Sequence, residues 1–183
     1  MEGTGWPVPA HGLRALIVTA ELAWTTQFFR PPAVRDGYVT LIWLSLWMVV
    51  LGLWGAALWP AHRVAALHVT FLGGFSLMTF AVATMVVLSH TGEGQRLRQP
   101  LWVLRVVAAG VAGALIGRLI ADLQPETFFR WLVVASVCWV LAGVSWMIFV
   151  LPRVLRPMVA GAFEQAHAAA KEQLLKLKTA PPA

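Results

Sequence analysis

The sequence predicts an all-α integral membrane protein: a helical bundle of four or five transmembrane helices with a C-terminal amphipathic helix. Three observations carry that expectation. Of the 183 residues, 59% are hydrophobic and 12% charged, with a mean hydropathy of +0.73; a soluble domain carries about 25% charged residues. The charges fall between apolar runs of about 20 residues, the length that crosses ~30 Å of hydrocarbon at 1.5 Å per residue. The runs are also bounded as membrane spans are. Pro60, Pro100 and Pro152 stand at their ends, with Trp59, Trp102 and Trp131 where interfacial aromatics belong.

Residues 1–12, MEGTGWPVPAHG, read as an outer N-terminal tail. They lack a positive start, and no apolar run follows directly, so no cleavable signal is expected. Residues 13–157 read as the transmembrane domain, with spans at about 13–29, 38–59, 64–88, 101–121 and 128–151. The first span is the weakest, being short, with Arg14 near its start and Glu21 near its middle. A lone carboxylate at mid-depth costs roughly 2.5–3.5 kcal/mol on insertion scales. Either this helix packs inside the bundle with Glu21 paired or protonated, or it lies at the interface; a span is the preferred reading. Residues 158–183 read as a cytoplasmic amphipathic tail. There Phe163, Leu174, Leu175 and Leu177 are apolar and Lys171, Lys176 and Lys178 cationic, suited to a lipid surface or a partner.

Charge sets the expected orientation. With five spans, one side carries Arg30, Arg35, Arg96, Arg98, Arg153, Arg156 and the tail lysines. The other carries chiefly Arg63 and Arg130, with Arg14 and Arg118 near its boundary. The richer side is expected to be cytoplasmic, which puts the N-terminus outside and the C-terminus inside. The net charge of +6 is accounted for by topology and anionic headgroups, so no nucleic acid is implied. The expected partners are membrane lipids. The single cysteine, Cys138, lies in an apolar run and reads as a small buried hydrophobe. The chain has no phosphate-binding glycine loop, no CxxCH haem attachment, no HExxH and no legible Ser/His/Asp set.

The stretch LHVTFLGGFSLMTFAVATMVVLSHTG, residues 67–92, carries a histidine at each end of one apolar helix. His68, Thr79 and His90 are eleven residues apart, so a straight α-helix sets them on one line, with the two histidines ~33 Å apart. They cannot share one metal ion. Neutral imidazole is a usual ligand for haem iron and copper, so His68 and His90, and also His62, are candidate metal ligands. The alternative is that each sits at headgroup level and bonds to a loop or lipid. Gly73 and Gly74 let a helix or a flat cofactor approach closely, helix packing being the commoner reason. Trp43, Trp47 and Trp54 share a face, and Trp139 and Trp146 another; packing is the simpler account of both, as it is of Met78 and Met85. Arg118, inside ALIGRLIADL, either snorkels, pairs with Asp122 or faces an acidic group such as a haem propionate.

Leu67-His68, Gly73-Gly74, Leu77-Met78-Thr79 and His90-Thr91-Gly92 together resemble the central helix of the NnrS family, membrane proteins linked to the response to nitric oxide. Arg118, Trp139 and the stretch from Leu151-Pro152-Arg153 to Arg156-Pro157 extend the resemblance over residues 38–157. The chain looks like the C-terminal part of a longer member. It departs from the family pattern at Met85, Ser89 and Glu93. The resemblance implies haem b and/or copper, with His68 and His90 as candidate ligands and Arg118 near a propionate. It implies redox handling of nitric oxide or protection from it, by a homo-oligomer or with other membrane subunits, in a bacterial-type inner membrane. The competing expectation is a cofactor-free structural or assembly subunit of a larger respiratory or electron-transfer complex. A transporter is less favoured, because no inverted repeat is visible.

Overall fold

The structure, a computed structural model, describes residues 7–155 and Lys171. The tail helix expected over residues 158–183 therefore lies outside the described residues, apart from that one lysine. The described residues are helical with no strand. In chain order the helices are α1 (Pro7–Thr25), α2 (Gly37–Leu58), α3 (Arg63–His68), α4 (Leu77–His90), α5 (Trp102–Leu123) and α6 (Phe128–Val154). A π-helical segment, Val69–Ser76, joins α3 to α4, so that Pro60–His90 forms one continuous 31-residue rod. This rod, α2, α5 and α6 are each long and apolar enough to cross a membrane. Short 3₁₀ turns at Pro60–His62, Gly94–Arg98 and Pro125–Thr127 make three of the connections.

The helices alternate in direction. His11, His62, Arg63 and Asp122 gather at one end of the bundle, here the His68 end. Glu93, Arg96 and Arg153 gather at the other, the His90 end. The expected spans match the helices to within a few residues at most ends. The main shift is in α1, which begins at Pro7 and ends at Thr25 rather than running from 13 to 29. Helix α6 continues through Pro152 to Val154, since a proline in the last turn forfeits only one backbone bond.

Helix α1 is placed by one contact from α3 at His11 and by two tryptophan contacts from α2, at Thr19 and at Phe28 just past its end. Arg63 Nη1 lies 3.3 Å from His11 Nε2, Trp54 Nε1 donates to Thr19 Oγ1 at 3.0 Å, and Trp43 Nε1 donates to the Phe28 carbonyl at 2.7 Å. Trp47 meets the Phe28 ring edge-on at 4.8 Å. The axis of α1 thus runs with the bundle rather than across its end. The shared face of Trp43, Trp47 and Trp54 is the seat of α1.

Lipid tails are as apolar as leucine, so burial of apolar area does little to hold membrane helices together. Close van der Waals contact between small residues does more. Two seams supply it. Between α5 and α6, a Cβ on Gly110 meets Ala142 Cβ at 2.7 Å, and one on Gly117 meets the Trp131 carbonyl at 3.1 Å. Between α2 and the π segment the fit is tighter. A Cβ on Gly52 meets Thr70 Oγ1 at 2.2 Å, Thr70 N at 2.6 Å and the Ala66 carbonyl at 2.8 Å. A Cβ on Gly74 meets Val49 Cγ2 at 2.6 Å. Gly73 and Gly74 are therefore helix-packing residues. A third cluster, Leu77, Leu88, Val103, Leu104, Val107 and Phe149, fills the His90 half. There Trp146 donates to Thr84 Oγ1 at 3.0 Å and stands edge-on to Phe80.

Because Gly52 faces backbone atoms, Gly52→Ala forces the π segment away from α2. The expected loss is about 1–3 kcal/mol, read as a lowered thermal unfolding midpoint in detergent. Gly143→Ala, where nothing lies within 4 Å, is expected to leave the midpoint unchanged. Equal midpoints for the two variants would overturn the seam's role.

Candidate functional site

The π segment decides what the His68 end can do. A π turn closes i→i+5 bonds and spends an extra residue on each turn. The eleven-residue line therefore breaks between His68 and Thr79, whereas Thr79 and His90, both in α4, stay aligned. Each extra residue rotates the following helix by ~100° relative to the one before. The histidines remain at opposite ends of the rod, and their environments differ.

His68 is half-buried and its ring is fixed. Nδ1 lies 2.7 Å from the Val64 carbonyl, one turn back. A carbonyl oxygen only accepts, so Nδ1 carries the hydrogen. In the neutral ring Nε2 then holds the free lone pair. Backbone carbonyls orient metal-binding imidazoles in this way.

His68 lines a groove of about 430 Å³, within the range of small-molecule sites. The groove lies between the rod and α6, over α5. Its lining comprises His68, Leu72, Ala114, Arg118, Leu132, Ala135, Ser136, Trp139 and Val140. A smaller groove of about 200 Å³ continues past Trp139 to Phe75, Ser76, Thr79 and Phe80. Trp139 is the wall common to both and is 42% exposed. The two tryptophans expected on one face thus have different surroundings: Trp146 packs on α4, and Trp139 lines open space.

Arg118 reaches the groove from α5. Its guanidinium carbon lies 5.9 Å from the centre of the Phe128 ring. Its Nε is buried without a hydrogen-bond partner among the described residues. Pairing with Asp122 is not what the structure has. Asp122 Oδ2 is 2.6 Å from His62 Nδ1, and this contact ties the turn before α3 to the end of α5. A buried N–H left unbonded costs about 1–3 kcal/mol, more when charged. The arrangement is one oriented imidazole and one cation lining the same largely apolar groove.

The other expected site residues stand apart from it. His62 is engaged by Asp122 at the rim of the bundle. His90 is exposed at the last residue of α4, with no hydrogen bond among the described residues. The helix there stops because Gly92 takes φ +76°, a conformation that glycine adopts freely. Among the described residues no group of three or more His, Cys, Asp and Glu side chains is placed to hold a metal ion. The π segment and the Nδ1–Val64 bond were missed in the sequence, and the adjacent glycines beside His68 are the one local hint of them.

These features define a multi-pass helical membrane protein with a histidine–arginine groove at one end. A family model described as NnrS protein matches residues 3–158, and the chain belongs to the NnrS family. No curated protein and no solved structure matches it.

The residue after the His90-Thr91-Gly92 turn has a structural role. Glu93 accepts from Arg96 Nη1 at 2.6 Å and from Arg153 Nε at 3.3 Å, fastening the turn to the end of α6. Arg153 is itself held by the Phe149 carbonyl and lies over the Phe149 ring. The Arg96 hydrogen bond, with the charge of Arg153, holds the Glu93 carboxyl below its ordinary 4.5. A depressed folded pKa gives stability that is present above 4.5 and fades as pH falls through the lower folded value. Glu93→Gln is thus expected to lower the unfolding midpoint at neutral pH, with the gap from wild type closing under acid. A gap that stays constant well below pH 4.5 would show that the ion pairs contribute nothing.

Proposed function

We propose that this NnrS-family chain binds a b-type haem in the groove at the His68 end, and that its role is redox handling of nitric oxide or protection from it. The observation that carries the reading is Arg118: a cation with a buried, unpartnered Nε, whose side chain lines the same groove as the fixed His68 ring. In this reading His68 would hold the haem iron through Nε2, and Arg118 would meet a propionate. A haem draws one or two axial ligands from protein and brings its own four nitrogens, so it suits a groove with one imidazole better than a bare copper ion does. The chemistry it would supply is gas binding and one-electron redox at iron.

The chain's own residues set the conditions. The Val64 carbonyl holds the His68 proton on Nδ1 and raises the basicity of Nε2. Arg118 neutralises a carboxylate in an environment of low dielectric, where an unpaired anion is costly. Leu72, Leu132, Val140 and the Trp139 ring keep water from the groove and leave it open to lipid-soluble molecules. The His68 end faces outward in this reading, because the cationic excess at the other end favours the cytoplasm. The protein works as an oligomer or with other membrane subunits.

Purified from native membranes with its partners, the protein is expected to show a Soret band. His68→Ala is expected to lose it, and Arg118→Ala to lower haem retention about tenfold, the loss of one charge-assisted contact. Wild-type protein without a Soret band, or His68→Ala with full haem, sinks the assignment. The first result favours the cofactor-free subunit instead.

A further inference from the structure

Helix α1 meets α2 through one face and leaves the other bare. The bare face carries Leu13, Arg14, Ile17, Ala20, Glu21 and Trp24, all exposed, Trp24 by 87%. These positions follow one another at helical spacing, so they form a single stripe. Neither Arg14 nor Glu21 has an ion pair or a side-chain hydrogen bond among the described residues.

The contacts with α2 fix the depth of this stripe. Thr19 is bonded to Trp54, four residues and ~6 Å inside the end of α2. Glu21 is ~3 Å deeper still, ~9 Å inside a helix that spans the bilayer. Arg14, ~7 Å above Thr19, is level with the end of α2, where it reaches headgroups. Glu21 has no such escape, because its side chain is short and its helix face points away from the bundle. Charged groups at such depth face a protein interior or a water-filled cavity, and lipid does not supply one.

We propose that the bare face of α1 is the docking surface for a transmembrane helix of a different subunit, one that brings a basic side chain to the depth of Glu21. Charge complementarity selects this occupant over a second copy of the chain. Two copies related by an axis along the membrane normal set Glu21 level with Glu21. Arg14 stays ~10 Å away along the axis and cannot reach across to pair. A foreign helix with lysine, arginine or histidine at that depth neutralises the carboxylate and covers Ile17 and Ala20.

The test places a photoreactive benzoylphenylalanine at Ile17 in the full chain, in native membranes, with the same group at Val137 on α6 as the control. The expected product is an adduct with a different polypeptide, formed from Ile17 and not from Val137. Its cross-linked segment, sequenced by mass spectrometry, is a membrane span with a basic residue. Its yield falls about tenfold in Glu21→Lys and is kept in Glu21→Asp. The α2 contacts at Thr19 and, past the helix, Phe28 are untouched by these changes, so membrane insertion of both variants, checked by protein level, serves as the folding control. Adducts between two copies of the chain, adducts with lipid alone, or a yield indifferent to Glu21→Lys would each overturn the proposal.

Discussion

The close approach of α2 to the π segment is the constraint on which the rest depends. Gly52 leaves room for the Thr70 hydroxyl and the Ala66 carbonyl, and Gly74 leaves room for Val49. No larger residue fits at Gly52 without moving backbone. The seam carries a cost: the Thr70 hydroxyl is buried and unpartnered, whereas Thr19, Thr79 and Thr84 each bond the carbonyl four residues back. A polar group orphaned in this way forfeits about 1–3 kcal/mol, and dense packing on either side offsets it. Strained helical segments of this kind recur at functional positions, and here one begins at the residue after His68.

From that seam the two ends of the bundle acquire different chemistry. At the His90 end, Glu93, Arg96 and Arg153 satisfy one another, and apolar packing closes the space between helices. At the His68 end, His62 and Asp122 satisfy one another at the rim, while His68 and Arg118 stay available inside a groove. One end is saturated by its own side chains and the other is not. That asymmetry is what favours the His68 end in the proposed haem site.

Much of this was legible in the sequence. Hydropathy and prolines located the four strong spans, because bilayer thickness dictates their length. The Gly-Gly pair was legible as a close-packing point, and His68 and Arg118 stood out as polar groups in apolar runs before the family resemblance added to them. Three things were not legible. The π segment is a tertiary response to the α2 seam, and local propensity does not encode it. Asp122 looked like the natural partner of Arg118, four residues before it in the same helix; only the fold brings His62, sixty positions away, to that carboxylate. The tryptophans of α2 face α1 because α1 runs antiparallel beside them, a pairing that single-helix periodicity does not reveal.

The central claim is that His68 Nε2 is a ligand and that the carbonyl of Val64 and the α2 seam hold it ready. The most direct measurement is the visible absorption spectrum of the His68→Gly protein, purified with its native partners and titrated with free imidazole. The haem band is expected to be lost in the variant and to return as imidazole occupies the vacated space. A haem band intact before imidazole is added, or one that fails to return in protein whose helical content matches wild type, would contradict it.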